Sequence, residues 1–488
     1  MCMIQVDFSK LSPQMVWRHF ETLCTIPRPS KHEQQLRQHL KDWAEQRNLE
    51  TYVDDIGNLI IRKAATAGKE QAAGVILQGH LDMVTQANRG TQHDFFKDPI
   101  RPVLKDGWLI AENTTLGADN GIGVALALAV LESNDIAHGP IEVLLTIDEE
   151  AGMSGARLLE SGILTGQWLF NIDTEEWGEL YLGCAGSIDI EVQQPIQYQT
   201  APSDLIYVDL FVSGLKGGHS GVDIHLGRGN ANVILANFLN DFLTQSNGRL
   251  VEFVGGTARN AIPREAVATI AIKTEQLTEL EYAVAAVQKE WQIKLQGIDD
   301  QLQITVQENV NQINEVIILQ QQKAWLQALA TCPYGIAQWS SALADVVETS
   351  NNIGVVKLTK DEAKTLIMVR SMVNQEALTF AQNIQQHFAN FEIQSELTPL
   401  VSGWTPNPDS AALKCLQQAY QSAFEIEPNL KVIHAGLECG IIAEHYPDLQ
   451  MVSFGPDIQG AHAPGERVKV DTVEKCWKLL VTALESVK

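Results

Sequence analysis

The sequence predicts an α/β fold: a mixed, mostly parallel sheet covered by helices, interrupted by an inserted α+β segment. Three observations predict it. Short apolar runs such as Val75-Ile76-Leu77 and 141–147 alternate with helical stretches, as expected for parallel strands buried on both faces. Beyond residue 187 the strands become amphipathic, as at 205–212 and 266–273. After Gly403-Trp404-Thr405-Pro406 the first style returns. The 488 residues are too many for one ordinary core. They read as a discontinuous domain, 1–186 plus 400–488, carrying a two-lobed insert at 187–399.

In chain order, Ser30-x-x-Glu33 resembles a capping box, with Leu36, Leu40 and Trp43 following on one helical stripe. Residues 51–63 alternate as strand, with a turn at Gly57-Asn58, and 75–79 form the next strand. The polar stretch 88–118 is irregular around a short strand at 107–111. From Asp119, DNGIGVALALAVLES has the small and apolar residues of a buried helix. The strand at 141–147 runs into Asp148-Glu149-Glu150, a short helix spans 154–162, and the strand at 168–172 ends at Asp173. In the insert, helices at 230–245 and 277–294 separate those amphipathic strands, and strands at 352–358 and 365–370, a helix at 374–388 and a strand at 391–398 repeat the style. Helices at 409–423, 438–445 and 471–485, with strands at 430–434 and 449–454, complete the first domain and leave His462 in a late loop.

Sixty acidic against 35 basic side chains give a net charge of −25. That balance argues against a nucleic-acid partner, because no basic stripe is present. Seven cysteines, scattered and without a C-x-x-C pair, suit reduced thiols in a cytoplasm rather than a disulfide framework or a thiolate metal site. The N-terminal MCMIQVDFSK has neither a basic nor an apolar signal region, so no secretion signal is expected. The longest apolar run, 122–131, is short of the ~18 residues a membrane span requires.

Ligands of open α/β sheets gather at the carboxyl ends of strands, and acidic and imidazole groups recur there. His80 and Asp82 follow the third strand, Glu149 and Glu150 another, Asp173 a third, with Asp119 and His462 nearby in the order of elements. Singly each has an ordinary explanation as a surface pair, a solvated turn or a helix start. Together, two histidines and three carboxylates make a shell for two first-row cations, zinc most naturally. Asp82 suits a hydrogen bond to His80 or a neighbouring ligand, fixing its orientation. Adjacent glutamates leaving an extended strand face opposite ways, so one of Glu149 and Glu150 would bind metal and the other act as general base.

Longer motifs sharpen this. GHLDMV at 79–84, TLGADNGIG at 115–123, TIDEEAGMSGA at 146–156, NIDTEE at 171–176 and HAPGE at 462–466 resemble the M20-type dinuclear zinc metallopeptidases. LKGGHSG at 215–221, GGTARNAIPREA at 255–266 and HAGLECGI at 434–441 narrow the resemblance, essentially end to end, to the cytosolic Xaa-His dipeptidases of that family. The resemblance implies that His80 and His462 bind different ions, bridged by Asp119, with Glu150 and Asp173 completing the shells. It makes Glu149 the base, Asp82 the orienting carboxylate, and the peptide after Asp119 cis. The insert becomes a lid and dimerisation domain. There His219 would donate to the oxyanion, and Asn260 and Arg370 would hold the substrate backbone and carboxylate, while Gly436 and Glu438 lie near its free amine. The implied protein is a cytoplasmic homodimer hydrolysing unblocked dipeptides, Xaa-His and carnosine foremost. It would use two Zn2+, with Co2+ or Mn2+ as substitutes. Neither nucleic acid nor membrane is an expected partner. The alternatives are another hydrolase of the family (tripeptidase, carboxypeptidase or N-acyl-amino-acid deacylase) and a non-catalytic metal-dependent binding protein.

Overall fold

Apolar strands flanked by amphipathic helices bury their surfaces by layering, and a computed structural model of the chain, describing residues 6–311, 313–341 and 343–488, shows how. Cys2 lies outside these residues, and the other six cysteines are buried free thiols. Two compact units result. The first comprises Met1–Cys184, Trp404–Val432 and Leu437–Lys488, the second Ala185–Gly403 and Ile433–Gly436. No helix among the described residues is long and apolar enough to cross a membrane.

In the first unit, α1 (Gln14–Thr25) and α2 (Gln34–Glu45) precede strands β1 (Glu50–Val53), β2 (Leu59–Lys63) and β3 (Val75–His80). Helix α3 (Ala118–Glu132), strand β4 (Ile141–Thr146), the single turn α4 (Glu149–Gly152), and strands β5 (Trp168–Asn171) and β6 (Glu179–Cys184) follow. After the insert come α5 (Ala411–Phe424), β7 (Asn429–Ile433), α6 (Glu438–His445), β8 (Gln450–Ser453) and α7 (Val470–Ser486). The sheet order is β1-β2-β4-β3-β5-β8-β6-β7. Its middle, β4-β3-β5-β8, is parallel, and the pairings β1-β2, β2-β4 and β8-β6 are antiparallel. All six residues of β3 and of β4 are buried, which is why both read as unbroken apolar runs. Helix α3 is apolar all round and correspondingly buried from Asn120 to Leu131.

A small antiparallel ribbon sits beside this sheet, ordered Ile458–Gln459, Arg467–Lys469, Trp108–Ile110, Val103–Lys105. It orders part of the stretch read as irregular, and it suspends the loop carrying His462 between two paired strands.

The expected capping box does not form. Helix α2 has no side-chain cap. Ser30 Oγ instead donates to Asp82 Oδ2 at 2.7 Å, and Glu33 Oε1 accepts from Lys31 N and Asp148 N at 2.8 and 3.0 Å. Tertiary partners have taken both groups away from the helix end.

The second unit is built on a nine-stranded antiparallel sheet with helices Ala231–Ser246, Leu277–Lys294, Leu319–Thr331 and Asn374–Ala389. The two lobes expected from the sequence are joined where Phe253–Gly255 pair with Val356–Leu358, and they share one large buried core. Residues Ile433–Gly436 belong here because Ala185 N donates to Ile433 O at 3.0 Å and Ser350 Oγ lies 2.8 Å from His434 Nε2.

Burial in α1 has a pH consequence. His19 is 6% exposed, and its Nε2 lies 3.0 Å from Glu132 Oε2. Burial pushes its imidazole down to about 4, against the lift from Glu132. The unfolded chain, with an ordinary imidazole near 6.5, therefore takes up the proton first. Stability present above pH 6.5 is lost as the pH falls toward 4, by up to about 3 kcal/mol. Urea midpoints of wild type and His19→Gln should converge across that window; a constant difference contradicts this.

Candidate metal centre

The parallel strands end level with one another, His80 opposite Thr146 and Gln78 opposite Asn171, which in turn faces Ser453. The loops beyond them bring the candidate ligands together. Asp119, at the start of α3, is the hinge of the group: its Oδ1 lies 3.2 Å from His80 Nε2 and its Oδ2 3.2 Å from His462 Nε2. Asp173 Oδ1 is 3.3 Å from His80 Nε2, and Glu150 Oε2 is 2.9 Å from His462 Nε2. Two triplets with metal-ligand spacing result, His80-Asp119-Asp173 and Asp119-Glu150-His462, sharing Asp119.

Glu149 joins a third triplet with His80 and Glu150. The expectation that Glu149 and Glu150 face opposite ways rested on an extended backbone, and it fails because both lie in the turn α4, after Asp148 at φ 55°. Asp82 holds that turn. Its Oδ1 accepts from Glu149 N at 3.0 Å and its Oδ2 from Glu150 N at 3.1 Å. Oδ1 also lies 3.4 Å from His80 Nδ1, so the other ring nitrogen, Nε2, faces Asp119 and Asp173. Asp82 is fully buried.

The Asp119 loop is pinned by a residue whose role has no local sequence signal. Glu466, 2% exposed, accepts from the amides of Leu116, Gly117, Ala118 and Asp119 at 2.6–3.3 Å. Buried Arg28 closes the other side, donating to Leu81 O, Asp82 O and Gly117 O at 3.0, 2.9 and 2.5 Å. Gly117 adopts φ 70°, and a Cβ there would meet Arg28 Nη2 at 2.5 Å, so this turn requires glycine. The Asp119–Asn120 peptide is cis.

Burial and close carboxylates set the electrostatics of the cluster. Burial alone would lower the His80 imidazole, yet Asp173, Asp119 and Asp82 lift it well above its usual range. Hydrogen bonds to Asp119 and Glu150 lift His462 to about 11. Burial pushes Asp173 to about 6 and Glu149 well up, neighbouring carboxylates adding to both. Asp119, though buried, is held low by the two imidazoles. Four carboxylates crowd two imidazoles, and Glu150 Oε1 is buried with no hydrogen-bond partner. An excess of buried negative charge is the environment a divalent cation neutralises.

Beneath the ligands runs a polar row. Ser453 donates to Asn171, Asn171 Nδ2 to Gln78 Oε1 at 2.5 Å, and Gln78 Nε2 to Glu438 Oε2 at 2.7 Å, where Thr146 Oγ1 also donates at 2.6 Å. Glu438, expected near a substrate amine, is fully buried in this row.

The other candidates lie in the second unit. His219 Nδ1 accepts from Gly221 N and Val222 N at 3.1 and 3.0 Å, so Nε2 carries the proton and is available to donate. Asn260 is exposed, with its carbonyl accepting from Ser220 N at 2.8 Å. Arg370 is 7% exposed, and burial pushes it down to about 10. Gly436 is half-buried in the segment that also holds His434, which the sequence reading quoted within HAGLECGI without giving it a role.

Residues 76–486 match peptidase family M20/M25/M40. The chain is 40% identical over 481 residues to the cytosol non-specific dipeptidase of Escherichia coli (strain K12), covering 99% of each. It is similar to the crystal structure of aminoacylhistidine dipeptidase from Vibrio alginolyticus, with a TM-score of 0.93, 43% identity, and 99% and 98% of the two chains covered. Aminopeptidase PepT from Bacillus cereus shares the fold alone, with a TM-score of 0.56 at 16% identity over 98% and 99% of the chains. With a family match over most of its length and a relative of this identity spanning it end to end, the chain belongs to peptidase family M20/M25/M40.

Proposed function

We propose that the protein is a cytoplasmic, homodimeric dipeptidase that hydrolyses unblocked dipeptides at a centre for two divalent cations, zinc foremost. One observation carries the reading: a single carboxylate, Asp119, turns each of its oxygens toward a different histidine. His80, Asp173 and Asp119 would hold one cation, and His462, Glu150 and Asp119 the other. The nitrogen and oxygen donors suit zinc, manganese or cobalt. The names of the relatives, a cytosol non-specific dipeptidase and an aminoacylhistidine dipeptidase, support the substrate class, the Xaa-His preference and the compartment.

Held by those residues, two divalent cations would supply Lewis-acid chemistry, which lowers the pKa of water and polarises a carbonyl. Glu149 takes the proton of the attacking water and returns it to the leaving amine. Asp82 keeps His80 in its tautomer and seats the α4 turn. His219 supplies an N–H to the oxyanion, and Asn260 and Arg370 bind the substrate backbone and carboxylate. Gly436 lines the pocket near the substrate's free amine. Glu438 braces the sheet beneath the ligands rather than touching the substrate, because it has no exposed surface.

A panel of Xaa-His, Xaa-Leu, tripeptide and N-acetyl substrates tests the reading. Turnover should concentrate on unblocked dipeptides with Xaa-His leading, and preference for N-acetyl substrates would refute it. For Asp82→Ala, kcat should fall about 10–100-fold while metal affinity falls by a smaller factor. The reverse ordering, metal lost first, would make Asp82 a ligand instead.

A further inference from the structure

Arg370 and His434 are both buried with a nitrogen unsatisfied. Arg370 Nε and His434 Nδ1 have no hydrogen-bond partner, and the two residues are 7% and 8% exposed. The carboxylate that acts on Arg370, Asp189, already pairs its Oδ2 with Arg259 at 3.0 Å. Arg370 and Ser350 are register partners on adjacent strands, and Ser350 Oγ lies 2.8 Å from His434 Nε2. Gly221 lets the groups converge: a Cβ there would fall 1.9 Å from His434 O and 3.1 Å from Arg370 Nε. Buried, unpaired nitrogens of this kind are costly unless a partner completes them.

We infer that His434 is a specificity residue that donates through Nδ1–H to the substrate's terminal carboxylate beside Arg370, with Ser350 as the positioning residue that fixes its tautomer. This rests on the dipeptidase reading and deepens it by making a free carboxylate a requirement. The ring is neutral, since burial, and then Arg370, His219 and His225, hold it down to about 3. A neutral imidazole has one donor. In the proposed arrangement the Ser350 hydroxyl, 2.8 Å from Nε2, donates to it, which leaves that donor on Nδ1, the nitrogen without a partner. Arg370 contributes the charge and His434 a directed hydrogen bond, so an amide in place of the carboxylate meets two donors and loses one acceptor.

The two amide replacements for histidine separate the nitrogens. Asparagine places its amide near the Nδ1 position and glutamine near Nε2. For His434→Gln, KM for an unblocked dipeptide should rise about tenfold or more, the loss of one hydrogen bond to a charged group. Its kcat should stay within about threefold of wild type, and His434→Asn should recover most of the affinity. Ser350→Ala should raise KM by a smaller factor. C-terminal amidation of the substrate should cost wild type more in kcat/KM than it costs His434→Gln, because the variant no longer reads the carboxylate. Thermal unfolding of each variant checks that it folds. Equal losses in His434→Asn and His434→Gln, or an unchanged amidation penalty in His434→Gln, overturn the assignment. A wild type that turns over no unblocked dipeptide sinks the functional reading itself; an active wild type with a silent His434→Gln sinks only the role of His434.

Discussion

Glu149→Ala is expected to lower kcat by about 10²–10⁴-fold, the usual contribution of a positioned general base, while leaving metal content near that of wild type. Glu149 stands at the first position of α4, with its amide held by Asp82 Oδ1 at 3.0 Å. Removing its side chain leaves that backbone bond and the two triplets sharing Asp119 in place. Metal analysis by mass spectrometry beside steady-state kinetics measures both quantities. Retained activity would remove Glu149 as the base, and lost metal would make it a ligand.

Asp119→Ala should have the broader effect. Asp119 is the residue common to both triplets that share it, and its carboxylate is the link between His80 and His462. Alanine there opposes one histidine-containing triplet to the other with nothing between them. At least one of two metal equivalents should be lost, and turnover should fall by about 100-fold or more, beyond what loss of an outer hydrogen-bond partner costs. Calorimetric metal titration of the variant reads the stoichiometry directly. Two equivalents bound with wild-type affinity would exclude a bridging role.

Part of this was legible from the sequence because central parallel strands are apolar runs with polar residues at their ends. VILQGHLD is β3 followed by its tip, and the strand before Asp148-Glu149-Glu150 is β4. The mixed sheet is the one expected, although parallel pairing is confined to its middle and three pairings toward its edges are antiparallel. What stayed hidden depends on tertiary partners. Glu466 reaches four amides about 350 positions earlier in the chain, and no local spacing records that. Arg28 binds three carbonyls, where any long donor would look the same from sequence. Ser30 and Glu33 were misread for the complementary reason: a true local pattern, S-x-x-E, was outbid by Asp82 and Asp148. The opposed glutamates failed because a left-handed residue, Asp148, turns the strand into a helix. His434 sits among Ala435 and Gly436 without periodicity, and its significance emerges only beside Arg370.

The most direct test of a two-cation centre bridged by Asp119 is a titration of chelator-stripped protein with Zn2+, following heat of binding and turnover of β-alanyl-histidine together. Two equivalents per chain should bind, with activity absent at the start and complete only when both are present. Full turnover in the stripped protein, or saturation of binding and activity at one equivalent, would contradict it.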